Sequence, residues 1–370
     1  MIKIAFIVGK EAETDPYRYK YTDDDAPKWF KKEVKNFYTF VDKRNHEVPS
    51  DVAMAMYLSN KYSNIECFNG REITLKDLNK FDVVFNIYDA IEIFHCNGKT
   101  CPEESKKFEN MLKKTTAIVY PFPEFHKYII VKPTYYKDLK RAGIPVVDFF
   151  KAIPLNVIKN TNTFKERILK KGWKGIIIKP SYSGYSIGIR IFKNIENTKL
   201  LTIKKHFDKL YKSGFPSVTI QQYIPGFTKH YELRTYWING KYFKTDGTGL
   251  ENEYDDTFVS EGGNIPEKIK KKIIIIGKNV LKSIMQFPLP PPLLRIDFGC
   301  CLQTDNCDET YFVNEIETAS ANMLDDNNNP IVEKAAEALY QFAKKVKGKK
   351  NIMIGSPSNF KIKNLPCPIY

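Results

Sequence analysis

The stretch Leu294-Arg-Ile-Asp-Phe-Gly-Cys-Cys-Leu302, a polar turn from Gln303 to Thr310, and the run Tyr311-Phe-Val-Asn-Glu-Ile-Glu317 decide how the chain is read. Both flanks are short, apolar-rich and alternating, and the turn holds Asp305, Asn306 and Asp308, so the segment reads as a β-hairpin. Residues two apart in a strand share a side, which puts Arg295 with Asp297 and Glu315 with Glu317. Pairing the strands can therefore gather three carboxylates on one face. At about 4 Å and an effective dielectric of about 20, two such charges repel by roughly 4 kcal/mol. A divalent cation would resolve the conflict, and an all-oxygen donor set suits Mg²⁺ or Mn²⁺. From these residues alone, a solvated hairpin with chance acids reads equally well.

The chain around the hairpin has 370 residues and 42% apolar content, enough for two or three subdomains with a proper core. The N-terminal Met1-Ile-Lys-Ile-Ala-Phe-Ile-Val-Gly9 is too short for a signal sequence, and no apolar run approaches bilayer length. A soluble cytoplasmic protein without membrane contact is the expectation. Seven cysteines, with Cys300 and Cys301 adjacent, do not form a disulfide framework pattern and point to reduced thiols. His95, Cys96 and Cys101 lack the spacing of a zinc site. The net charge of +15 suggests anionic partners. Because the lysines run along the whole chain, compositional bias and an anionic small substrate rank ahead of nucleic acid.

Lys3 to Val8 reads as a buried strand opening an α/β unit. Pro27 to Val41 has helical spacing, Ser50 caps a second helix, and strands are expected at Ile65 to Phe68 and Phe81 to Ile87, giving a small parallel-sheet domain that closes near Pro123. Helices follow at Lys132 to Ala142, Asn162 to Lys171 and Leu200 to Lys212, with strands at Val146 to Ala152, Gly175 to Pro180, Ile189 to Phe192 and Val218 to Ile224. Tyr231 to Ile238 and Lys241 to Thr245 flank Asn239-Gly240, a strong hairpin-turn signal. Gly247 to Asn264 reads as a long loop of the kind that covers a site. Helices at Pro266 to Met285 and Pro330 to Val346 complete the pattern.

Lys179 ends a buried strand directly before Ser181-Tyr-Ser-Gly-Tyr-Ser-Ile-Gly188, an arrangement that brings one cation and several backbone N–H groups against a phosphate. It is not a Walker A loop, since no Gly-Lys-Ser/Thr opens a helix there. The chain order matters more than any one motif. Lys132, then Lys179 with its small-residue loop, the strand ending at Gln221-Gln-Tyr-Ile224, Glu232 and Arg234, Arg295-x-Asp297 and Glu315-x-Glu317 form a succession that resembles the ATP-grasp superfamily. The likeness is nearest to its D-alanine–D-alanine ligase and RimK-like branches and spans Phe125 to Asn322.

The resemblance implies an α/β ATP-grasp fold with an N-terminal pre-ATP-grasp parallel-sheet domain over residues 1–124. Residues 125–217 would form a central lobe with the flexible phosphate loop, 218–350 a C-terminal lobe with the metal site, and 351–370 a tail. It implies that Lys132 and Lys179 bind the nucleotide phosphates, and that Ser183, Gly184, Tyr185 and Ser186 fold over them. Gln221, Gln222, Tyr223 and Ile224 would face adenine, and Glu232 the ribose. Arg295 and Lys179 would act on the transferred phosphoryl group, and Asp297, Glu315 and Glu317 would hold two Mg²⁺ or Mn²⁺ ions. The implied activity is ATP-dependent ligation of a carboxylate to an amine. A kinase acting on an anionic small molecule such as an inositol phosphate is the alternative, and a homodimer stays open. Two departures stand out: Gln221 replaces a common Glu, and Glu317 replaces a common Asn, which leaves the metal site one charge more negative. His230, Arg190, Lys193 and Lys244 lie near the site in sequence and could bind an anionic substrate, with a solvent-facing role ranked ahead for each.

Overall fold

In the computed structural model, residues 1–8, 19–21, 26–33, 40–42, 45–48, 50–87, 95–96, 99–100, 102–154, 161–181, 188–225, 232–250, 257–259, 265–284, 291–300, 311–318 and 331–349 are described. The first unit contains strands β1 (Ile4–Val8), β2 (Tyr19–Tyr21), β3 (Phe40–Asp42), β4 (Asn45–Val48), β5 (Ile65–Asn69), β6 (Val83–Asn86), β7 (His95–Cys96), β8 (Lys99–Thr100) and β9 (Ile118–Tyr120). Strands β5-β1-β6-β9 make a parallel sheet. Ile4, Ala5, Phe6 and Ile7 of β1 are wholly buried, so both faces of the strand are apolar there, as a parallel strand covered by helices requires. Helices α1 (Lys28–Glu33), α2 (Ser50–Lys61), α3 (Leu75–Leu78) and α4 (Pro102–Lys114) belong to this unit. Of the helix expected from Pro27 to Val41, Lys28–Glu33 is helical and residues 34–39 lie outside the described residues, while Phe40–Asp42 is a strand paired with β4, so sheet pairing overrides the helical spacing there.

Helices α5 (Pro123–Ile130) and α6 (Lys132–Arg141) lead into a second sheet of β10 (Phe149–Pro154), β11 (Ile176–Pro180), β12 (Arg190–Phe192) and β13 (Ser217–Gln222), ordered β10-β13-β11-β12 and antiparallel throughout. Helices α7 (Thr161–Lys170) and α8 (Leu200–Lys212) cover one face, where Phe164, Ile168, Ile203, Phe207 and Leu210 pack with Ile176, Ile178 and Ile220. Lys179 and Gln221 therefore lie on the other face, by the alternation of the strand. The basic excess is concentrated in this unit. Thirteen Lys or Arg face three Asp or Glu between Thr161 and Gly214, a net of +10 out of the chain's +15. Lysines occur along the whole chain, but here the basic residues are enriched and the acids depleted, and both localise the charge.

The third sheet is ordered β16-β15-β14-β17-β18, from β14 (Glu232–Ile238), β15 (Lys241–Leu250), β16 (Thr257–Val259), β17 (Leu293–Cys300) and β18 (Tyr311–Glu317). Asn239 and Gly240 take φ of 51° and 73°, the pair of positive values that a tight type I′ turn needs. The loop expected from Gly247 to Asn264 is in part sheet, since Thr248 to Leu250 pairs with β16. One face of the sheet (Leu233, Trp237, Leu294, Ile296, Phe298, Val313, Ile316) packs on α6 and on α9 (Glu267–Ile284). The last helix, α10 (Ile331–Val346), shares a core with β1, β6 and α2 that also takes in Tyr236 and Leu293 from the other face of the third sheet. Cys67 is a buried free thiol, whereas Cys300 is disulfide-bonded, so the expectation of reduced thiols does not hold there. Among the described residues no helix is long and apolar enough to cross a membrane.

Candidate functional site

The face of the third sheet away from its core carries charge in register. Across the strands, Asp246 pairs with Arg234, Arg234 with Asp297, and Asp297 with Glu315; in the next row Lys244 pairs with Tyr236, Tyr236 with Arg295, and Arg295 with Glu317. The hairpin thus gathers Asp297, Glu315 and Glu317 on one face. Their repulsion is met by the protein's own cations. Arg295 donates from Nε to Asp297 Oδ1 at 2.9 Å and from Nη2 to Asp297 Oδ2 at 3.0 Å, and its Nη2 lies 2.9 Å from Glu317 Oε2. Lys132, at the first turn of α6, forms an ion pair with Glu315 on the edge strand. The acids therefore do not require a metal to coexist. Among the described residues no group of three His, Cys, Asp or Glu is arranged to hold one.

Burial and these cations pull the three acids in different directions. Burial pushes Asp297 up to about 6 against the pull of Arg295. Burial also pushes Glu317 up to about 8, with Glu315 and Asp297 adding to the rise and Arg295 opposing it. For Glu315, burial acts upward, but Lys132 and Lys179 together hold it below the usual carboxylate range. The donor set suits a hard cation in kind, since the three carboxylates adjoin across one ladder and burial disfavours the charged form of two of them. Ligation would require the side chains to turn from Arg295 and Lys132.

Lys179 differs from the other cations. It is 6% exposed, and its ammonium donates to Asn314 Oδ1 at 3.3 Å, with no carboxylate in ion-pair reach among the described residues. Burial holds it below the usual lysine range, with Lys132 adding to this against Glu315 and Glu232. Glu232 is buried, accepts from Asn314 Nδ2 at 2.8 Å, and lies 3.5 Å from Arg234 Nη2. Gln221, beside Lys179 on the open face of the second sheet, has a buried Nε2 with no hydrogen-bond partner among the described residues. The N–H of Tyr223, one of the residues expected to face adenine, donates to Gly175 O at 2.9 Å. Ser183, Gly184, Tyr185 and Ser186 lie outside the described residues, as does His230. Gly188, at the exit of that loop, has φ of 74°, and a Cβ there would stand 2.8 Å from both Pro180 Cγ and Leu210 Cδ2.

Two residues escape the sequence reading. Lys244 is not solvent-facing: its side chain is 10% exposed and sits 3.0 Å from Asp246 and over the Tyr236 ring. Asn314 is the second. The β17–β18 ladder shifts register between Asp297 and Phe298, whose partners are Glu315 and Val313, so Asn314 is the extra residue of a β-bulge. The bulge puts Asn314 on the side of Lys179 and Glu232, although simple alternation assigns it to the opposite face from Glu315.

Two antiparallel sheets with Lys179 on one and paired acids on the other, preceded by a parallel-sheet unit, make the ATP-grasp fold. The solved structures it resembles agree. The D-cycloserine synthetase DcsG matches with a TM-score of 0.58 at 13% identity, over 92% of this chain and 99% of that one. The D-alanine–D-alanine ligase of Bacillus anthracis, solved with ATP, matches with a TM-score of 0.58 at 14% identity, over 95% and 99% of the two chains. The D-alanyl-alanine synthetase A of Vibrio cholerae O1 biovar eltor str. N16961 matches at 0.56 and 16%, over 93% and 98%. No protein-family profile matches the chain, and no characterised protein matches it by sequence.

Proposed function

We propose that the chain is an ATP-dependent ligase that activates a carboxylate for attack by an amine. The observation that carries this reading is Lys179, a buried ammonium without a carboxylate partner among the described residues, at a strand end facing a set of acids. Such a cation lacks its counter-charge, and a nucleotide phosphate supplies one. Lys132 assists at the phosphates, Ser183 to Ser186 close over them, Gln221 to Ile224 receive the base, and Glu232 holds the ribose hydroxyls. Arg295 pairs with Asp297 and Glu317 while no metal is bound, and once they turn to the metal it faces the transferred group. Asp297, Glu315 and Glu317 would hold two Mg²⁺ ions, which supply charge neutralisation to the phosphates when bound.

In the proposed reaction a carboxylate oxygen takes the γ-phosphoryl group and ADP leaves. The amine nitrogen then attacks the acyl carbon of the acylphosphate, and inorganic phosphate leaves with the bonding electrons. The chain's contribution is position and fixed charge, which such transfers need more than covalent help. The division into 1–124, 125–217, 218–350 and 351–370 belongs to the same proposal, as does a soluble, cytoplasmic enzyme. The test is ATP turnover with pools of carboxylates and amines, reading ADP and free phosphate together. Equal release of both supports the ligase. ADP without free phosphate means that the product keeps the phosphoryl group, which selects a kinase and overturns the ligase reading.

A further inference from the structure

Asn314 touches both ends of the site at once. Its Oδ1 accepts from the Lys179 ammonium at 3.3 Å and its Nδ2 donates to Glu232 Oε1 at 2.8 Å. The side chain is buried, and its backbone carbonyl accepts from the Tyr136 hydroxyl. An amide carries an acceptor and a donor on one planar group, so it can serve a cation and an anion together; aspartate can only accept, and lysine or arginine can only donate. The partners also fix its orientation, because a flip would set N–H groups against an ammonium and the carbonyl against a carboxylate. The bulge that brings Asn314 to this face interrupts the β17–β18 ladder, an irregularity that the rest of the hairpin does not need.

We propose that Asn314 is a positioning residue that insulates Lys179 from Glu232. By standing between two opposite charges in a desolvated space, it prevents their collapse into a direct ion pair and leaves the ammonium available to an anion. The functional part of this inference rests on the reading that Lys179 binds nucleotide phosphate.

The test combines a double-mutant cycle with a measurement that needs no nucleotide. In the full-length protein, the reactivity of Lys179 toward a small amine-acylating reagent is followed by peptide mass spectrometry, alongside the Kd for ADP. Asn314→Ala lets Glu232 capture Lys179, so both the reactivity and the ADP affinity fall on the order of tenfold, the scale of one charge-assisted hydrogen bond. Adding Glu232→Gln removes the trap and restores both to near the values of Glu232→Gln alone. Asn314→Asp captures Lys179 itself, and Glu232→Gln does not restore it; this variant keeps the test open if the alanine protein does not fold. Additive losses in the cycle, or unchanged Lys179 reactivity in either Asn314 variant, would overturn the insulating role. Failure of the wild-type protein to bind ADP would sink the nucleotide reading instead, and the labelling arm would still decide the part played by Asn314.

Discussion

Replacing Lys179 with methionine should make the ligand-free protein slightly more stable while removing its response to nucleotide. The side chain is 6% exposed, its ammonium meets only the neutral amide oxygen of Asn314 among the described residues, and burial opposes its charge. Methionine fills a similar volume and removes a desolvation penalty of about 1–3 kcal/mol, while the Asn314 oxygen left without a donor returns about 1 kcal/mol of that. The net gain is about 1 kcal/mol, or about 1 °C in Tm for a chain of this length. In the wild type, Mg·ADP at about 100 times its Kd adds roughly 2.7 kcal/mol of stability. In Lys179→Met, nucleotide at the same concentration should add almost nothing. Urea unfolding with and without Mg·ADP measures both quantities on one sample. A variant destabilised by more than about 2 kcal/mol without ligand would make Lys179 structural, and an undiminished ligand response would remove it from the phosphate site.

Glu315→Gln removes the carboxylate that forms an ion pair with the buried Lys132 ammonium. Stability should fall by about 2–3 kcal/mol in a denaturant series, below the full figure for breaking a buried pair because 21% of the Glu315 side chain still meets solvent; ATP turnover should fall at least about 10²-fold. His206 is buried with no partner for Nε2 among the described residues, and burial, with Arg190 and Lys209, holds it down at about 4 against a hydrogen bond at Gly188. Between about 6.5 and 4 the unfolded chain takes a proton that the folded one refuses, so stability should fall as pH drops through that window, by up to about 3 kcal/mol, and level off below it. His206→Gln should flatten this part of the profile, and an unchanged slope would assign it to other groups. Gly188→Ala forces a side chain into a left-handed backbone 2.8 Å from Pro180 and Leu210, so calorimetry should show a loss of at least about 1–2 kcal/mol.

Much of the site was legible because strand alternation and chain order carry it. The Arg295-x-Asp297 and Glu315-x-Glu317 spacings assign all four side chains to one face, and the register bears this out, with Asp297 across from Glu315 and Arg295 across from Glu317. What escaped has physical causes. Asn314 was hidden because a single bulge reverses the parity on which alternation rests. Lys132 pairs with Glu315 across 183 residues of chain, a contact that only the packing of α6 against the sheet creates. The neutralisation of the acids by Lys132 and Arg295 was missed for the same reason, although Arg295 two residues from Asp297 already hinted at it. A solvent-facing Lys244 ranks first on sequence, whereas β15 lies inside a five-stranded sheet and the lysine pairs with Asp246. At Phe40–Asp42 an apolar helical period gave way to pairing with β4, which no local signal encodes.

The most direct measurement of the central claim, that the hairpin acids and the two lysines form one nucleotide–metal site, is a crystal structure with ADP and Mn²⁺, which scatters anomalously. The account predicts anomalous peaks among Asp297, Glu315 and Glu317, with their side chains turned from Arg295 and Lys132, and a nucleotide phosphate within hydrogen-bond distance of Lys179. Metal and nucleotide bound elsewhere, with Lys132 still paired to Glu315, would contradict it.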